Sequence, residues 1–264
     1  MPYVRKTNRT VRRPRRNTRR PKRSVPRSIK SIVSKAISRN LETKMASTQY
    51  ALTAFNSSIN TAGDFITVLP SILQGSGQGA RIGASIKPVK LVIRGYITYK
   101  TDFVQGARML GTRLFCFQDK SQKSYPTVTA AGPNYQLLDI GGSTTNFTGQ
   151  AIQYMMPHNT DLYNWYADKK HIIRKPFGYT NSLSPTATTD ITGMDPSLYK
   201  PFTITIPASK MPNLKYDDTL STGYPVNFAP MIGLGYCDLL GYTADTTLTQ
   251  ISMEFVATLY YKDA

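Results

Sequence analysis

The stretch Val89-Lys90-Leu91-Val92-Ile93-Arg94-Gly95-Tyr96-Ile97-Thr98-Tyr99-Lys100 alternates with a period of two. Val89, Leu91, Ile93, Gly95, Ile97 and Tyr99 share one face; Lys90, Val92, Arg94, Tyr96, Thr98 and Lys100 share the other. Successive strand side chains point to opposite faces, so this is a long strand with one buried side. Residues 250–261 repeat the pattern, with Ile251, Met253, Phe255, Ala257, Leu259 and Tyr261 against Gln250, Ser252, Glu254, Val256, Thr258 and Tyr260. Regular alternation without proline places this second strand in the middle of a sheet.

Shorter strands are expected at 46–56, 111–118, 162–174, 200–206 and 228–237, with an eighth at 64–69 or within 147–155. The intervals 119–145, 176–199 and 207–227 are long and rich in turn residues. Eighteen Gly and seventeen Pro are spread along the body, and Tyr and Phe number seventeen and ten. Many strands, long loops and no helical repeat favour one large β-sandwich. No internal repeat or second globular domain is visible.

The N-terminal segment is of another kind. Residues 1–39 contain fifteen basic residues and no acid. They are Arg5, Lys6, Arg9, Arg12, Arg13, Arg15, Arg16, Arg19, Arg20, Lys22, Arg23, Arg27, Lys30, Lys35 and Arg39. The rest of the chain carries eighteen basic against fifteen acidic residues, so +15 of the formal +18 lies in this arm. Like charges repel, so the arm is expected to be disordered until a polyanion neutralises it. Arginine dominates, and its fork suits bidentate phosphate contacts. The composition predicts binding of nucleic acid through its backbone, by counterion release and without sequence readout. The clusters Arg12, Arg13, Arg15, Arg16 and Arg19, Arg20, Lys22, Arg23 also suit a nuclear import signal read by host import receptors.

Residues 1–26 are broken by Pro2, Pro14, Pro21 and Pro26. Within 28–41, Ile29, Ile32, Val33, Ala36, Ile37 and Leu41 recur at helical spacing, and Ser28 is a suitable N-cap. A short basic amphipathic helix is expected there. The division is therefore an arm over 1–44 and a β domain over 45–264.

Other constellations carry little chemistry. The loop from Gln74 to Gly83 is glycine-rich, but a strand rather than a helix follows, and no Gly-Lys-Ser/Thr is present. It reads as a turn. His158 and His171 have no Cys or carboxylate at ligand spacing, so neither metal nor cofactor is expected. Cys116 and Cys237 lack metal spacing; buried reduced thiols are expected, and a disulfide is the lesser reading. A Cys–His nucleophilic pair has no surrounding signature. Asp217 and Asp218 are adjacent and point apart in extended chain. Asn56-Ser57-Ser58 and Asn146-Phe147-Thr148 are sequons only in a secreted chain, and the charged N-terminus lacks the apolar core of a secretory signal. No run reaches the roughly twenty apolar residues of a membrane helix, so no membrane partner is expected. Tyr163-Asn164-Trp165-Tyr166, with Lys169, Lys170, Arg174 and Lys175 beyond, reads as a core strand followed by a solvated basic turn; base stacking is the sharper alternative.

Taken in order, these pieces resemble the capsid proteins of circular Rep-encoding single-stranded DNA viruses, of the circovirus and cyclovirus kind. The resemblance rests on the basic arm, Gln74-Gly75, Arg81-Ile82-Gly83 and the strand at 88–100. Phe117-Gln118-Asp119-Lys120, Ala167-Asp168-Lys169-Lys170, Leu214-Lys215-Tyr216-Asp217-Asp218, Tyr224-Pro225-Val226-Asn227-Phe228 and Tyr260-Tyr261-Lys262-Asp263 extend it. Residues 46–73, 121–160 and 176–199 contribute nothing to it. The resemblance implies an eight-stranded jelly roll in an icosahedral T=1 shell of roughly sixty copies. It further implies an arm facing inward onto circular single-stranded DNA, residence in the virion and assembly in the host nucleus.

Two rivals stand beside it: a small RNA-virus jelly-roll capsid protein, and a host β-sandwich binding module with a basic tail. Enzymatic function is disfavoured by the scatter of His, Cys and carboxylates.

Deleting residues 1–26 is expected to leave the far-UV β signal and the thermal midpoint unchanged while abolishing bound nucleic acid. Unfolding of the truncated protein, followed by circular dichroism, would make the arm part of the fold instead.

Overall fold

A computed structural model describes residues 42–77, 79–99, 109–131, 134–174, 199–217, 223–239 and 249–263. The expected disordered arm and the amphipathic helix at 28–41 lie outside the described residues. Two sheets make up the domain. One has the order β1-β11-β3-β8, from Lys44–Phe55, Ile251–Asp263, Ser85–Tyr99 and Tyr199–Pro207. The other has the order β2-β10-β4-β7, from Phe65–Thr67, Met231–Asp238, Met109–Asp119 and Tyr163–Arg174. The short β5 (Leu138–Ile140) and β6 (Ser143–Thr145) form a separate hairpin, and β9 (Leu214–Lys215) adds to the start of β3.

These eight sheet strands pair in a nested way. The first pairs with the last, the second with the second-last, the third with the third-last, and the middle two with each other: β1·β11, β2·β10, β3·β8 and β4·β7. All four rungs are antiparallel, and β11·β3 and β10·β4 knit them into two sheets. A long hairpin rolled upon itself in this way is a jelly roll. The fold is thus the eight-stranded jelly-roll sandwich that the sequence led us to expect. The open choice for the eighth strand falls at 65–67; Ala151–Tyr154 forms a 3-10 turn instead.

Between the sheets lies a core built from alternate residues. Leu91, Ile93 and Ile97 of β3 and Met253, Phe255, Ala257 and Leu259 of β11 face Leu114 and Cys116 of β4 and Ile232 and Leu234 of β10. β11 is central, as its pattern predicted. Prolines sit where a missing N–H costs nothing: Pro201 and Pro207 lie on the edge strand β8, and Pro88 lies at the register shift between β3 and β11. Val89, assigned to the apolar face, is instead 37% exposed beside that shift. Tyr50 joins the layers: its ring stacks on Phe255 at 4.5 Å and its hydroxyl donates to Thr67 O at 2.5 Å.

The second sheet is buried on both faces, because a long excursion covers its outer side. Phe115, Phe117 and Met231 meet Ile59, Leu137, Leu138 and Phe147 there. That double burial explains the unbroken apolar runs of β4 and β10. The interval 119–145, read as an open loop, in fact holds helix α1 (Tyr125–Ala131) and the β5–β6 hairpin. Gly235 belongs to this packing: a Cβ there would lie 2.5 Å from the Phe147 ring. Gly95 plays the same part on the other sheet, where a Cβ would meet Glu254 O at 2.3 Å and the Phe202 ring at 2.9 Å.

Phe255→Ala is expected to cost about 3–5 kcal/mol through its cavity. Gly95→Val forces backbone apart in the middle of a sheet and is expected to yield no soluble protein. Urea unfolding of the first variant and solubility of the second check both; a soluble Gly95→Val domain of ordinary stability would contradict the packing.

Candidate nucleic-acid interface

All fifteen basic residues proposed for nucleic-acid and import contacts, Arg5 through Arg39, lie outside the described residues. The structure does show where the domain begins after them. Lys44, at the start of β1, has its Nζ 2.6 Å from Asp263 Oδ2 and donates to Ala80 O at 2.9 Å. Asp263 Oδ1 accepts from the Ile82 N–H at 3.3 Å. First strand, last strand and glycine-rich loop are therefore fastened together at one end of the first sheet.

That loop is not built to cradle phosphate. The N–H groups of Gly75, Ala80 and Arg81 donate inward to Arg81 O, Gly77 O and Leu73 O. A cradle needs such donors free and convergent. Arg81 is buried, lies 4.6 Å over the Tyr216 ring and donates to Gly83 O at 2.6 Å.

The outer face of the first sheet mixes hydroxyl and apolar side chains, among them Ser47, Thr203, Val256 and Thr258, with basic and aromatic ones. Lys90 and Arg94 of β3 are exposed on it. Lys90 Nζ lies 4.6 Å from the Tyr260 ring centre, and Tyr96 stacks on the half-exposed Tyr199 at 4.8 Å. The carboxylate among these outward residues, Glu254, accepts from Tyr96 Oη at 2.5 Å and from Gln49 Nε2 at 2.9 Å. These two donors hold the Glu254 carboxyl below its ordinary range, Tyr96 most of all. The carboxylate therefore stays ionised and keeps its negative charge on this face. A cation over a ring, as at Lys90 and Tyr260, suits a single-stranded polyanion with flat bases. Sequence reasoning assigned Lys90, Arg94 and Tyr96 only to a polar parity. Their regular spacing on one solvent face was the available signal.

The second sheet carries the densest cluster of charge, and it is structural. Arg113, 1% exposed, grips Asp168 with Nε at 2.9 Å and Nη2 at 2.6 Å, and Nη1 donates to Gln153 O at 2.6 Å. His158 Nδ1 is 3.4 Å from Asp168 Oδ2, and its ring leans on Trp165. Gln153 ties the excursion further, its Oε1 accepting from Thr148 N at 2.7 Å and its Nε2 donating to Asn146 O at 3.0 Å. Asp168 of the Ala167-Asp168-Lys169-Lys170 motif thus fastens the covering excursion to the sheet.

Trp165 belongs to this packing, tilted against Phe115 and Phe117, with Nε1–H donating to Asn159 O at 2.5 Å. The expectation of a core strand holds for it. The expected basic turn does not: Lys169, Lys170 and Arg174 lie within β7, where Lys169 Nζ donates to Thr203 O and Lys170 Nζ sits over Tyr154. Lys175 and Asp218 lie outside the described residues. Cys116 and Cys237 are free and buried, as expected. Burial pushes the Cys116 thiol up to about 12 and the Cys237 thiol to about 11, so neither is a ready nucleophile at neutral pH. His171 has its pKa lowered, chiefly by burial and then by Lys169 and Lys200.

No protein-family model and no curated protein matches the sequence. Among solved structures, the chain is similar to one from a full particle of Israeli acute paralysis virus heated to 63 degrees, at 13% identity and TM-score 0.30, covering 99% of this chain and 81% of that one. It is also similar to a chain of the activated KBV particle at acidic pH, at 12% identity and TM-score 0.33, covering 98% and 87%. The fold assignment rests on the strand pairing itself.

Asp168→Ala strands the Arg113 guanidinium beneath the excursion. Breaking a buried pair from one side typically costs about 3–5 kcal/mol. Thermal unfolding is expected to show that loss, and Trp165 emission is expected to shift red as its cover loosens. Unchanged stability would mean that Arg113 finds water there.

Proposed function

We propose that this chain is the capsid protein of a small single-stranded DNA virus, assembling with copies of itself into a closed shell around its genome. The observation that carries the reading is the nested eight-strand jelly roll joined to an arm of fifteen positive charges. The domain packs its two sheets around one core, and the arm adds fifteen positive charges. The ordered motifs that resemble circular Rep-encoding virus capsids support DNA as the cargo.

In this reading the division of labour is physical. The arm neutralises phosphate and releases counterions, which supplies affinity without sequence preference. The outer face of the first sheet supports it through Lys90, Arg94 and the tyrosines on that face, Tyr96, Tyr199 and Tyr260. Closed symmetry requires each domain to present complementary patches to its neighbours. If roughly sixty copies assemble, the arms deliver on the order of 900 positive charges, enough for about as many phosphates. The clusters Arg12, Arg13, Arg15, Arg16 and Arg19, Arg20, Lys22, Arg23 direct the protein to the host nucleus for assembly.

Full-length protein expressed alone is expected to form closed particles in negative stain, with nucleic acid protected from nuclease. Replacing Arg12, Arg13, Arg15 and Arg16 with Ala removes about four phosphate contacts per subunit. The slope of log affinity against log salt should then shrink by about three, from the single-strand coefficient of ~0.7 per contact. The loss should be equal for unrelated oligonucleotides of one length. Monomeric protein without particles overturns the capsid reading. A loss confined to one sequence, at unchanged slope, overturns the backbone mechanism.

A further inference from the structure

The edge strands of the two sheets, β7 and β8, run beside each other without a backbone ladder between them. A side chain crosses this seam: Lys169 Nζ donates to Thr203 O at 2.7 Å. Two more basic groups stand beside it. Lys169 and His171 lie opposite Leu114 and Thr112, and Lys200 lies opposite Ile97. Leu114 and Ile97 are core residues, so all three basic side chains start from the inner faces of their strands.

His171 is the odd member of this set. It is half-buried, and its Nε2 is buried with no hydrogen-bond partner among the described residues. From its own strand it meets Lys169, and from β8 it meets Lys200. From β4 it meets Thr112, whose hydroxyl donates to His171 O at 3.2 Å. The inner residues of β3 at this end are Ile97 and Tyr99, and burial keeps the Tyr99 phenol neutral, pushed up to about 12. On β10 the inward acid is Asp238, opposite Leu110 and thus two strands away from β7. Asp168 and Lys170 belong to the other face of β7. Among the described residues no carboxylate pairs with His171.

A neutral imidazole can leave Nε2 as a bare lone pair. Protonation gives that nitrogen a donor without an acceptor and sets a third positive charge beside two ammonium groups. Separating β7 from β8 hydrates the imidazolium and moves Lys200 away, and it breaks no ladder within either sheet. We propose that the β7–β8 seam is an acid-sensitive latch, shut while His171 is neutral and loosened when His171 takes a proton. The latch belongs to the folded domain and does not rest on the capsid reading. Burial first, then Lys169 and Lys200, hold the His171 pKa below its ordinary 6.5. The unfolded or opened chain therefore binds this proton more readily than the closed one. The stabilisation is whole above about pH 6.5 and is lost as pH falls from there through the lower value of the closed form.

Hydrogen exchange of the full-length protein, corrected for the intrinsic effect of pH, tests the latch between about pH 8 and about pH 5, the range in which histidine changes charge. Amides of 163–174 and 199–207 are expected to lose about tenfold in protection for each unit by which the two pKa values differ. Those of 251–263, in the middle of the first sheet, should keep theirs. His171→Leu and His171→Gln should abolish the acid loss while protection at the upper pH stays as it was. Lys200→Met, which removes one repelling charge, should shrink the acid loss, and Lys200→Glu should shrink it further.

An acid loss that persists in both His171 variants overturns the latch. So does a loss spread evenly over 251–263, or a gain of protection at the seam in acid. Should neither His171 variant fold, Lys200→Glu carries the test alone, and an undiminished acid loss in it overturns the proposal. Absence of particles in any of these proteins bears on the capsid reading and leaves the exchange at the seam to be read as before.

Discussion

The pairing of β11 with both β1 and β3 is the constraint on which the rest depends. It brings Lys44 opposite Tyr261 and Ser85 to the neighbourhood of Asp263, joining the two ends of the domain. Closing a loop ten times longer costs only about 2 kcal/mol more, because the entropy grows with the logarithm of length. Nesting softens even that. Once β4 meets β7, the rung β3·β8 closes little additional free chain, and β2·β10 and β1·β11 follow outward. What makes the outermost rung worthwhile is the apolar face of β11, where Met253, Phe255, Ala257 and Leu259 are all buried. Topology and hydrophobic pattern therefore enforce each other.

The two sheets use their outer faces in opposite ways. The second is hidden under residues 120–162, held by the Arg113–Asp168 pair and by rings seated against Gly235. Among the described residues the first keeps Lys90, Arg94 and Tyr199 exposed on its outer side, with Tyr96 stacked on Tyr199. A sheet buried twice needs apolar residues at both parities; a sheet buried once frees one parity for charge. The asymmetry in sequence between β4 and β3 is that between a strand buried on both faces and one buried mainly on a single face. Glu254 keeps its negative charge on that face, where Tyr96 and Gln49 donate to it.

Much of this was legible in the sequence for a simple reason. Long strands at one solvent boundary write their environment as alternation, and β3 and β11 do so with little ambiguity. β4 and β10 were legible as strands but not as doubly buried ones, although Gly233 and Gly235 inside an apolar run marked a close approach. The excursion at 120–162 was not legible. Its order comes from side chains that replace backbone ladders: Asp119 accepts from Ser121 N, Gln122 N and Asn134 N, and Asn159 accepts from Asp161 N and Leu162 N. Such bonds have no period. Nor was the seam legible, since His171 and Lys200 come from two separate stretches that only the fold brings together. The basic arm was legible as composition, and its fifteen residues fall outside the structure described.

Charge and shape are thus carried by different parts of the chain. The arm carries fifteen positive charges, and contacts to phosphate alone are salt-sensitive and blind to base identity. The folded domain, nearly neutral at +3 over residues 40–264, has geometry with little charge to spare. Among its exposed cations, Lys90 holds its Nζ 4.6 Å from the Tyr260 ring centre and Arg94 lies on the same face. The salt dependence of polyanion binding follows the number of phosphates neutralised. With fifteen basic residues in the arm against a net +3 over residues 40–264, that dependence is expected to lie with the arm.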